Sequence, residues 1–370
     1  MKIAMLGAKS VPAIGGIAQY IEELGARLAE RGHEVTVYCR PHYREGEGDE
    51  YRGMRRVTTR GLRGKHLDAP THTFTSALRA LRSAPEILHI HGVGPGYIAP
   101  LARLKPRART VVTIHRLDWR AQKWGGVASA AIRASARLVN ASAHAVTAVS
   151  RSVQEEYETA TGRRPRYIPT GVTIPDIVPA RDILETGLSP GGYVFCAARL
   201  VPEKGVHYLT EAFRELDTDK ELVIAGDSPH DGPYVRRLKA EAGPKVRFVG
   251  YVTGRLLAEL YSNAMFYVQP SEIEGLSISV LESLSYGCCV LASDIPTNTE
   301  ALDGHGYTFR CGDVADLRAK IRLFVDNPAQ CEAEFTRVRE YLTRERSWDV
   351  TTHQFEELYE AVISSHNRLL

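Results

Sequence analysis

The amino-acid sequence predicts an α/β protein built from two doubly wound, Rossmann-like domains. The chain has 370 residues, which exceeds the usual size of one domain and suffices for two separate cores. Short apolar runs alternate with segments of helical periodicity, as expected for a parallel sheet with crossover helices. The alternation pauses over residues 165–175, where proline and glycine interrupt the pattern, and then starts again. We therefore place the domains at 1–175 and 176–345, followed by a terminal segment at 346–370.

The first domain begins with the apolar run Lys2–Leu6, which predicts a buried strand. Residues 19–31 carry apolar side chains at helical spacing and end at Gly32, so a helix is predicted there. Further strands are predicted at 34–38, 87–91, 110–115 and 145–149. In the second domain, strands are predicted at 193–197, 221–225, 246–248, 266–269 and 290–292, with helices between them. Because doubly wound folds host many chemistries, this architecture alone does not assign a function.

Composition is ordinary for a globular protein, with 44% hydrophobic and 25% charged residues. The run before Gly7 is far too short for a signal-peptide core, and no stretch approaches the roughly 18 apolar residues of a membrane span. The six cysteines form no Cys-x-x-Cys pair, which indicates reduced packing residues and not disulfides or metal ligands. We therefore expect a cytoplasmic protein.

Positive charge is concentrated in the first half of the chain. Residues 1–172 hold 27 Lys and Arg against 14 Asp and Glu, a balance of +13, whereas the remainder holds 20 against 30, a balance of −10. The two balances give the net charge of +3. This asymmetry indicates that the first domain meets something anionic, such as a nucleic acid, an anionic membrane surface or a phosphorylated acceptor. An ordinary solvated, arginine-rich surface would give the same balance.

Two glycines, Gly15-Gly16, separate the first strand from the helix that follows it. Glycines at this place let the backbone approach a ligand closely, and the start of a helix favours anions. The spacing is not Gly-x-Gly-x-x-Gly, so a dinucleotide site is not supported. A plain turn explains the glycine pair about as well as a ligand loop.

The loop after the strand at 193–197 carries two cations, Arg199 and Lys204, before the next helix. The carboxyl end of a strand is where ligands bind in α/β sheets. Arg199 and Lys204 are therefore expected to converge on one anion, the first as a fork of donors and the second as a point charge. A pair of solvated surface cations is the alternative.

A second loop, after the strand at 266–269, carries Glu274 and leads into a helix at Leu276-Ser277-Ile278. The amides at this helix start would face a phosphate. Glu282 lies further along the helix, where a carboxylate could accept ribose hydroxyls, and Glu274 could reach a sugar. An ordinary solvated loop and helix would also explain two glutamates at this spacing.

A third strand end, Gly250-Tyr251-Val252, is a candidate for holding a nucleotide base.

No metal site is predicted. Asp217-Thr218-Asp219 has the Asp-x-Asp spacing of a metal motif but stands in a polar turn. His89 and His91 share one face of a strand, yet the sequence shows no third ligand beside them.

Taken together, these features resemble the retaining GT-B glycosyltransferases of family 4. The matching motifs are Gly15-Gly16, Arg199 with Glu203-Lys204-Gly205, and Glu274 with Glu282 in an E-x7-E arrangement. The resemblance spans nearly the whole chain and ends with Ser347-Trp348, after which the family has a helix that packs back on the N-terminal domain. It implies the GT-B architecture, in which two Rossmann-like domains face each other across a cleft.

The resemblance also implies a role for each matching residue of the second domain. Arg199 and Lys204 would bind the donor diphosphate and stabilise the departing nucleoside diphosphate. Negative charge grows on this leaving group in the transition state, so cations placed there lower the barrier, and no metal or other cofactor would be required. Glu282 would hold the ribose, and Glu274 would contact the donor sugar.

In the first domain, the resemblance implies that the Gly15-Gly16 loop closes over the phosphates and that His115 contacts sugar or phosphate. The segment from His115 to Arg120 and on through Lys123-Trp124-Gly125 resembles polysaccharide-assembly relatives, including some rhamnosyltransferases. Two positions depart from the commonest family pattern, which makes the donor sugar harder to name. Residues 274–278 read Glu-Gly-Leu-Ser-Ile where many relatives have Glu-Gly-Phe-Gly-Leu, and Gly287-Cys288-Cys289 replaces Gly-x-Pro.

We therefore expect a hexosyltransferase-type enzyme that moves a sugar from a nucleoside-diphosphate sugar, such as a UDP- or TDP-sugar, to a hydroxyl with retention of configuration. The acceptor would be a sugar or a lipid-linked sugar, and the basic first domain would place the enzyme peripherally on the cytoplasmic membrane face. A nucleotide-sugar epimerase of the same fold is the alternative. A non-enzymatic nucleic-acid-binding module is the more remote one, because the sequence has no recognised nucleic-acid motif.

Overall fold

The computed structural model describes residues 1–370 except 13, 14, 44, 45, 47, 63, 65, 66, 121–125, 229–231, 332–334 and 368–370. The chain divides into two compact units, one formed by Met1–Gly171 with Trp348–Leu370 and the other by Val172–Ser347. The first unit thus runs to Gly171, and the second unit begins at Val172. A side chain at Gly171 would meet the indole of Trp348, and Val172 forms a parallel bridge to Ser347 within the second unit. These contacts between distant residues fix the boundary.

The first unit contains an eight-stranded sheet in the order β3-β4-β2-β1-β5-β6-β7-β8. All neighbouring strands are parallel except β3 and β4. The strands are β1 (Lys2–Leu6), β2 (Glu34–Cys39), β3 (Glu50–Tyr51), β4 (Met54–Thr58), β5 (Ile87–His91), β6 (Arg109–Ile114), β7 (Ala145–Ala148) and β8 (Arg166–Tyr167).

Strands β3, β4 and β8 were not predicted, because each is short or carries polar residues where an apolar run is expected. Arg56 in β4 is buried, and its guanidinium donates to the carbonyl oxygens of Val11 at 3.2 Å and Gly48 at 2.6 Å. Carbonyl oxygens from other parts of the chain thus accept the hydrogen bonds of a buried arginine, which the local sequence alone would predict to be exposed.

Four helices connect these strands: α1 (Gly16–Glu30), α2 (Asp68–Arg82), α3 (Gly126–Ser142) and α4 (Arg151–Thr161). In the described part of this unit, 3₁₀ helices also lie at Pro41–Tyr43, Pro95–Leu104 and Asp118–Arg120. The inward residues of α2, of Pro95–Leu104, of α3 and of α4 share one apolar core with Ala4, Leu88 and Val112 of the sheet. Because side chains alternate across a strand, these four segments cover one face of the sheet.

The second unit contains a six-stranded parallel sheet in the order β11-β10-β9-β12-β13-β14. Its strands are β9 (Tyr193–Ala197), β10 (Glu221–Ala225), β11 (Val246–Gly250), β12 (Phe266–Gln269), β13 (Val290–Ser293) and β14 (Tyr307–Phe309). Only β14 was not predicted, and it is a three-residue edge strand with two exposed positions. This strand order is that of a doubly wound nucleotide-binding fold.

Helices lie between and after the strands of the second unit. They are α5 (Asp182–Glu185), α6 (Val206–Arg214), α7 (Pro233–Glu241), α8 (Gly254–Asn263), α9 (Ile278–Ser285), α10 (Pro296–Leu302), α11 (Val314–Asp326) and α12 (Phe335–Glu345), with 3₁₀ helices at Pro202–Lys204 and Pro328–Gln330. Two Rossmann-like parallel-sheet units were predicted, and this fold class is confirmed.

The last helix, α13 (Trp348–Asn367), belongs to the first unit. It packs beside α1, where Arg31 pairs with Glu356 at 2.7 Å and with Asp349 at 3.1 Å. Phe355 and Tyr359 of α13 contact His89 on the sheet face opposite to α2. In the part of the chain that the structure describes, no helix has both the length and the hydropathy needed to cross a bilayer.

Candidate functional site

The predicted residues of the second unit lie at the point where the strand order reverses. Strand β9 stands between β10 and β12, so the chain builds the sheet first to one side of β9 and then to the other. The loop after β9 carries Arg199 and Lys204, and the loop after β12 carries Glu274. In open α/β sheets the crevice at such a reversal is the place where ligands bind.

The two loops touch each other through their backbones. Gly205 has φ +63°, and a side chain there would come within 1.9 Å of the Pro270 carbonyl oxygen. The Glu272 amide donates to the Glu203 carbonyl at 3.0 Å. Glycine at 205 is thus required by both a left-handed conformation and a close backbone approach.

Lys204 and Glu274, which were expected to contact the donor diphosphate and the donor sugar respectively, are in direct contact. The Lys204 ammonium donates to Glu274 Oε1, and the two side chains are only 15% and 9% exposed. Arg199 is different, because its side chain is 51% exposed. Its guanidinium Nη2 lies 3.5 Å from Glu203 Oε1, which is a long contact. Since Lys204 is largely neutralised by its partner, Arg199 presents the more accessible positive charge at this strand end.

Two residues that the sequence reasoning missed hold Glu274 in place. Gln269 Nε2 donates to Glu274 Oε1 at 2.9 Å, and Ser271 Oγ donates to the same oxygen at 2.8 Å. Gln269 Oε1 in turn accepts from Tyr267 at 2.6 Å and from Ser279 at 2.9 Å. A glutamine closing the apolar strand β12 was the signal that could have identified this network.

The start of α9 has an N-cap residue whose side chain does not cap the helix. Ser277 is the N-cap residue and is buried, but its side chain makes no capping hydrogen bond. Ser277 therefore gives the first-turn amides no side-chain acceptor, although its carbonyl oxygen accepts from the Val280 amide at 3.1 Å. Leu276 is buried beside them. A helix start of this kind suits a phosphate, and phosphate binding at α9 stays a prediction.

Glu282 lies one turn further along α9 and is half-buried. Tyr261 of α8 donates its hydroxyl to Glu282 Oε2 at 3.3 Å, and the Tyr261 ring stacks on Tyr286 at 5.4 Å with a 7° interplanar angle. Burial and the nearby carboxylate raise the pKa of Tyr261 well above its usual value. The phenol is thus neutral and serves as a hydrogen-bond donor that orients Glu282.

The third predicted segment, Gly250-Tyr251-Val252, follows the edge of the sheet at β11. Gly250 is the last residue of the strand and not a loop residue, and its carbonyl accepts from the Gly226 amide at 2.7 Å. Tyr251 is 71% exposed. A side chain at Gly226 would lie 1.8 Å from the Ala198 carbonyl oxygen, so the end of β10 packs closely on the Arg199 loop.

In the first unit, Gly15-Gly16 and His115 are linked by one aromatic residue. Gly15 is the N-cap of α1 with φ 95° and makes no side-chain capping bond, and α1 begins at Gly16. One turn later Tyr20 packs edge-on against His115, with ring centroids 4.8 Å apart. His115 directly follows β6. The residues Lys123-Trp124-Gly125 of the polysaccharide-type segment lie outside the described residues.

His115 belongs to a cluster of three histidines. His115 Nε2 lies 3.1 Å from His91 Nδ1, and the His91 and His89 rings are 4.0 Å apart. His89 is also bonded to the Tyr359 hydroxyl at 2.7 Å. Desolvation lowers the pKa of His89 and of His115 to about 3 and that of His91 well below 6.5.

These histidines are therefore neutral near pH 7, and one ring of the His91–His115 pair donates while the other accepts. The sequence pattern did not indicate that His115 lies beside His89 and His91. The structure adds it as the third histidine of the cluster. Among the described residues, no group of three or more His, Cys, Asp or Glu side chains is arranged to hold a metal ion.

Comparison with known proteins identifies both units. Residues 14–174 match the family model described as "Glycosyltransferase Family 4", and residues 188–340 match the one described as "Glycosyl transferases group 1". The chain is 26% identical to alpha-maltose-1-phosphate synthase of Mycobacterium tuberculosis, an alignment that covers 98% of this chain and all of that protein. It is 29% identical to a GDP-mannose-dependent alpha-mannosyltransferase of Mycolicibacterium smegmatis, over 80% of each chain.

Solved structures show the same fold at lower identity. Sucrose-phosphate synthase from Thermosynechococcus elongatus matches with a TM-score of 0.82 and 20% identity, covering 98% of this chain and 99% of that one. The Anabaena protein Alr3699/HepE, solved with UDP and glucose, matches with a TM-score of 0.80 and 16% identity, covering 98% and 100%. The chain therefore belongs to the glycosyltransferases of the GT-B fold, with a family 4 domain followed by a group 1 domain.

Proposed function

We propose that this enzyme transfers a hexose from a nucleoside-diphosphate sugar to a hydroxyl acceptor with retention of configuration. The observation that carries the proposal is the arrangement at the reversal point of the second sheet. There an accessible arginine, a buried Lys204–Glu274 pair and the uncapped start of α9 all belong to loops that follow β9 and β12. Cations and amides directed at one place stabilise a diphosphate and the charge that develops on it as it leaves.

Each residue of the second unit has a role in this proposal. The guanidinium of Arg199 donates hydrogen bonds to the diphosphate, and the ammonium of Lys204 supplies a second positive charge. Glu274, fixed by its hydrogen bonds, accepts from hydroxyls of the donor sugar. Glu282, oriented by Tyr261, accepts from the ribose hydroxyls. Because two cations and the helix amides serve the leaving group, the proposed reaction requires no metal or other cofactor.

In the first unit, Gly15-Gly16 and His115 complete the donor contacts in this proposal. A neutral imidazole suits a hydrogen bond to a sugar hydroxyl better than an ion pair to a phosphate, and the depressed pKa of His115 keeps it neutral. We therefore assign His115 to the sugar. Gly250, Tyr251 and Val252 are assigned to the base, with the exposed Tyr251 ring available for stacking.

The relatives support a sugar-nucleotide donor but differ in the molecules they are named for. Their names and titles include GDP-mannose, UDP and UDP-glucose, and ADP. We propose a UDP- or TDP-sugar here, with an acceptor that is a sugar or lipid-linked sugar of a cell-surface polysaccharide or glycolipid. The basic first unit would then hold a cytoplasmic enzyme peripherally at the anionic membrane face.

The test is the thermal stability of the purified protein with UDP, TDP, GDP and ADP, each in large excess. A nucleotide at about 100 times its Kd adds roughly 2.7 kcal/mol, which raises the midpoint by a few degrees. The shift is expected for one base and is expected to disappear in Arg199→Ala and Glu282→Ala. Arg322→Ala on α11, an exposed arginine away from these loops, is the control that keeps the shift. Absence of a shift with every nucleotide would refute the donor site.

Product analysis then separates transfer from epimerisation. With the matching sugar nucleotide and no acceptor, an epimerase changes the donor, whereas a transferase leaves it intact apart from slow hydrolysis. Addition of a chelator tests metal independence, and the anomeric configuration of the product tests retention. A new sugar nucleotide formed without acceptor would overturn the transfer assignment while leaving the donor site intact.

A further inference from the structure

One face of the first unit combines exposed apolar side chains with positive charge. Among the described residues, all the large exposed hydrophobic side chains of this unit lie on or beside α2, the 3₁₀ helix Pro95–Leu104 and α3. They are Leu62 (61% exposed), Leu67 (54%), Phe74 (43%), Leu78 (39%), Leu104 (74%), Val127 (89%) and Leu138 (41%). Since these helices cover the same face of the sheet, we name this layer the α2–α3 face.

The apolar residues follow helical spacing on the outer side of each helix. On α2, the exposed positions Phe74 and Leu78 are one turn apart, and Leu67 precedes them by two turns. On α3, Val127 and Leu138 lie on one outer stripe with the exposed alanines between them. A solvated helix carries polar residues on its outer side, so this pattern indicates a surface that leaves water during function.

Charge on the α2–α3 face is positive with almost no acidic component. Within α2, Pro95–Leu104 and α3 the sequence has five arginines and a single acidic residue, Asp68. All five arginines (Arg79, Arg82, Arg103, Arg133 and Arg137) are exposed. Asp68 is engaged by Arg40 at 3.1 Å and His42 at 3.3 Å.

The opposite face of the same sheet has the reverse charge. Helices α1 and α13 together contain seven acidic residues and one arginine. The three segments of the α2–α3 face thus carry a balance of +4 and α1 with α13 a balance of −6, while α4, on the same side of the sheet as α2 and α3, has three glutamates and one arginine. A merely solvated, arginine-rich surface would show neither this separation nor the exposed leucines and phenylalanine.

We infer that the α2–α3 face docks on an anionic lipid bilayer, with its arginines at the headgroups and its apolar side chains in the interface. Arginine pairs with anionic headgroups while exposed Leu, Phe and Val enter the acyl boundary, which is the composition of an interfacial amphipathic surface. A nucleic acid would pair with the arginines of this face but would leave its exposed apolar side chains in water, so it fits the face less well than a bilayer does. The inference deepens the proposed function, because it names the surface that would meet a membrane carrying the acceptor.

The experiment is flotation of the full-length protein with vesicles of phosphatidylcholine, with and without about one-third phosphatidylglycerol, over a series of salt concentrations. Binding is expected only to the anionic vesicles and is expected to weaken as salt screens the charges. Arg133→Ala with Arg137→Ala should lower the partition coefficient about fivefold for each arginine removed. Phe74→Ser with Leu78→Ser should abolish the binding that persists at high salt.

The matched control is Arg322→Ala with Leu323→Ser on α11 of the second unit, where Leu323 is 40% exposed. It should bind vesicles like the wild type. No binding to anionic vesicles, or equal loss in the control, would overturn the inference. A change from dimer to monomer in the Phe74→Ser, Leu78→Ser variant, without vesicle binding by the wild type, would assign the face to a second copy. Each variant is also tested for the nucleotide-induced thermal shift, so failure of docking is distinguished from failure of the donor site.

Discussion

The ammonium of Lys204 and the carboxylate of Glu274, 70 residues apart in the chain, form a buried ion pair between the loops that follow β9 and β12. The pair joins the two strand ends on either side of the reversal point. It also neutralises the positive charge of Lys204. A diphosphate bound as proposed would compete with Glu274 for Lys204, which would couple donor binding to the structure of both loops.

Replacing Lys204 with methionine should destabilise the protein by about 3 kcal/mol, because Glu274 would remain as a buried carboxylate without its cation. The double variant Lys204→Met, Glu274→Gln should regain much of this loss, since no charge is left buried. Urea-induced unfolding measures both. Arg344→Met is the control, because its pair with Glu345 is 72% and 53% exposed, and the change should stay within about 0.5 kcal/mol. Equal losses in the single and double variants would show that the pair is not coupled.

Replacing Arg199 with alanine should separate activity from stability. The side chain is half exposed and its contact with Glu203 is long, so the free energy of unfolding should change by less than about 0.5 kcal/mol. Loss of a cation from the leaving diphosphate should lower kcat/KM for the donor by about 100-fold or more. Steady-state kinetics and thermal unfolding check this prediction, with Arg322→Ala as the control. Unchanged kcat/KM in Arg199→Ala would remove the arginine from the proposed mechanism.

Two glycines with nearly the same φ predict very different costs of substitution. Gly205 and Gly254 have φ +63° and +62°, but a side chain at 205 would overlap the Pro270 carbonyl, whereas nothing lies within 4 Å at 254. Gly254→Ala should therefore cost about 1–2 kcal/mol, from the left-handed conformation alone. Gly205→Ala should cost more and should also weaken nucleotide binding, because the loop must move. Equal unfolding free energies for the two variants would contradict the close contact of the two loops.

Acid should destabilise the first unit well before the carboxylates titrate. His89 and His91 are buried with pKa values depressed below 6.5, so the unfolded chain takes up protons below pH 6.5 while the folded chain does not. Stability should therefore fall as pH falls from 6.5 towards 3, by up to about 1.4 kcal/mol per pH unit for each histidine. Carboxylates with lowered pKa values, such as Glu23 and Glu356, contribute only below about 4.5.

The measurement is the free energy of unfolding from pH 7 to pH 5. His89→Asn should reduce the slope, because the unfolded chain then takes up one proton fewer, while His72, His91 and His115, whose pKa values are also lowered in the folded state, still contribute. The variant loses stability at pH 7 as well, so the comparison is made on the slope and not on the absolute value. A slope that is the same in the variant and the wild type would show that His89 is protonated in the folded state.

Much of the fold was predictable from local pattern. The buried parallel strands are continuous apolar runs, and strands β1, β5, β9, β10 and β12 begin and end where the sequence predicts. The strands that were missed, β3, β4, β8 and β14, lie at or near sheet edges, are short and are partly polar. Their pairing depends on a neighbouring strand and not on their own composition. The end of the first unit at Gly171 coincides with the packing of Gly171 on Trp348, a contact that no local pattern encodes.

For the candidate site, the sequence by itself determined which residues lie beside the strand ends and helix starts: Arg199, Lys204, Glu274, Gly15-Gly16 and His115, with Glu282 one turn into a helix. Residue type and position after an apolar run suffice for that, because both are local properties. Only the tertiary structure decided that Lys204 is neutralised by Glu274, that Gln269 and Ser271 hold this carboxylate, and that His115 lies on His91. These relationships join strand ends brought together by sheet order, and sheet order is set by the packing of the whole domain.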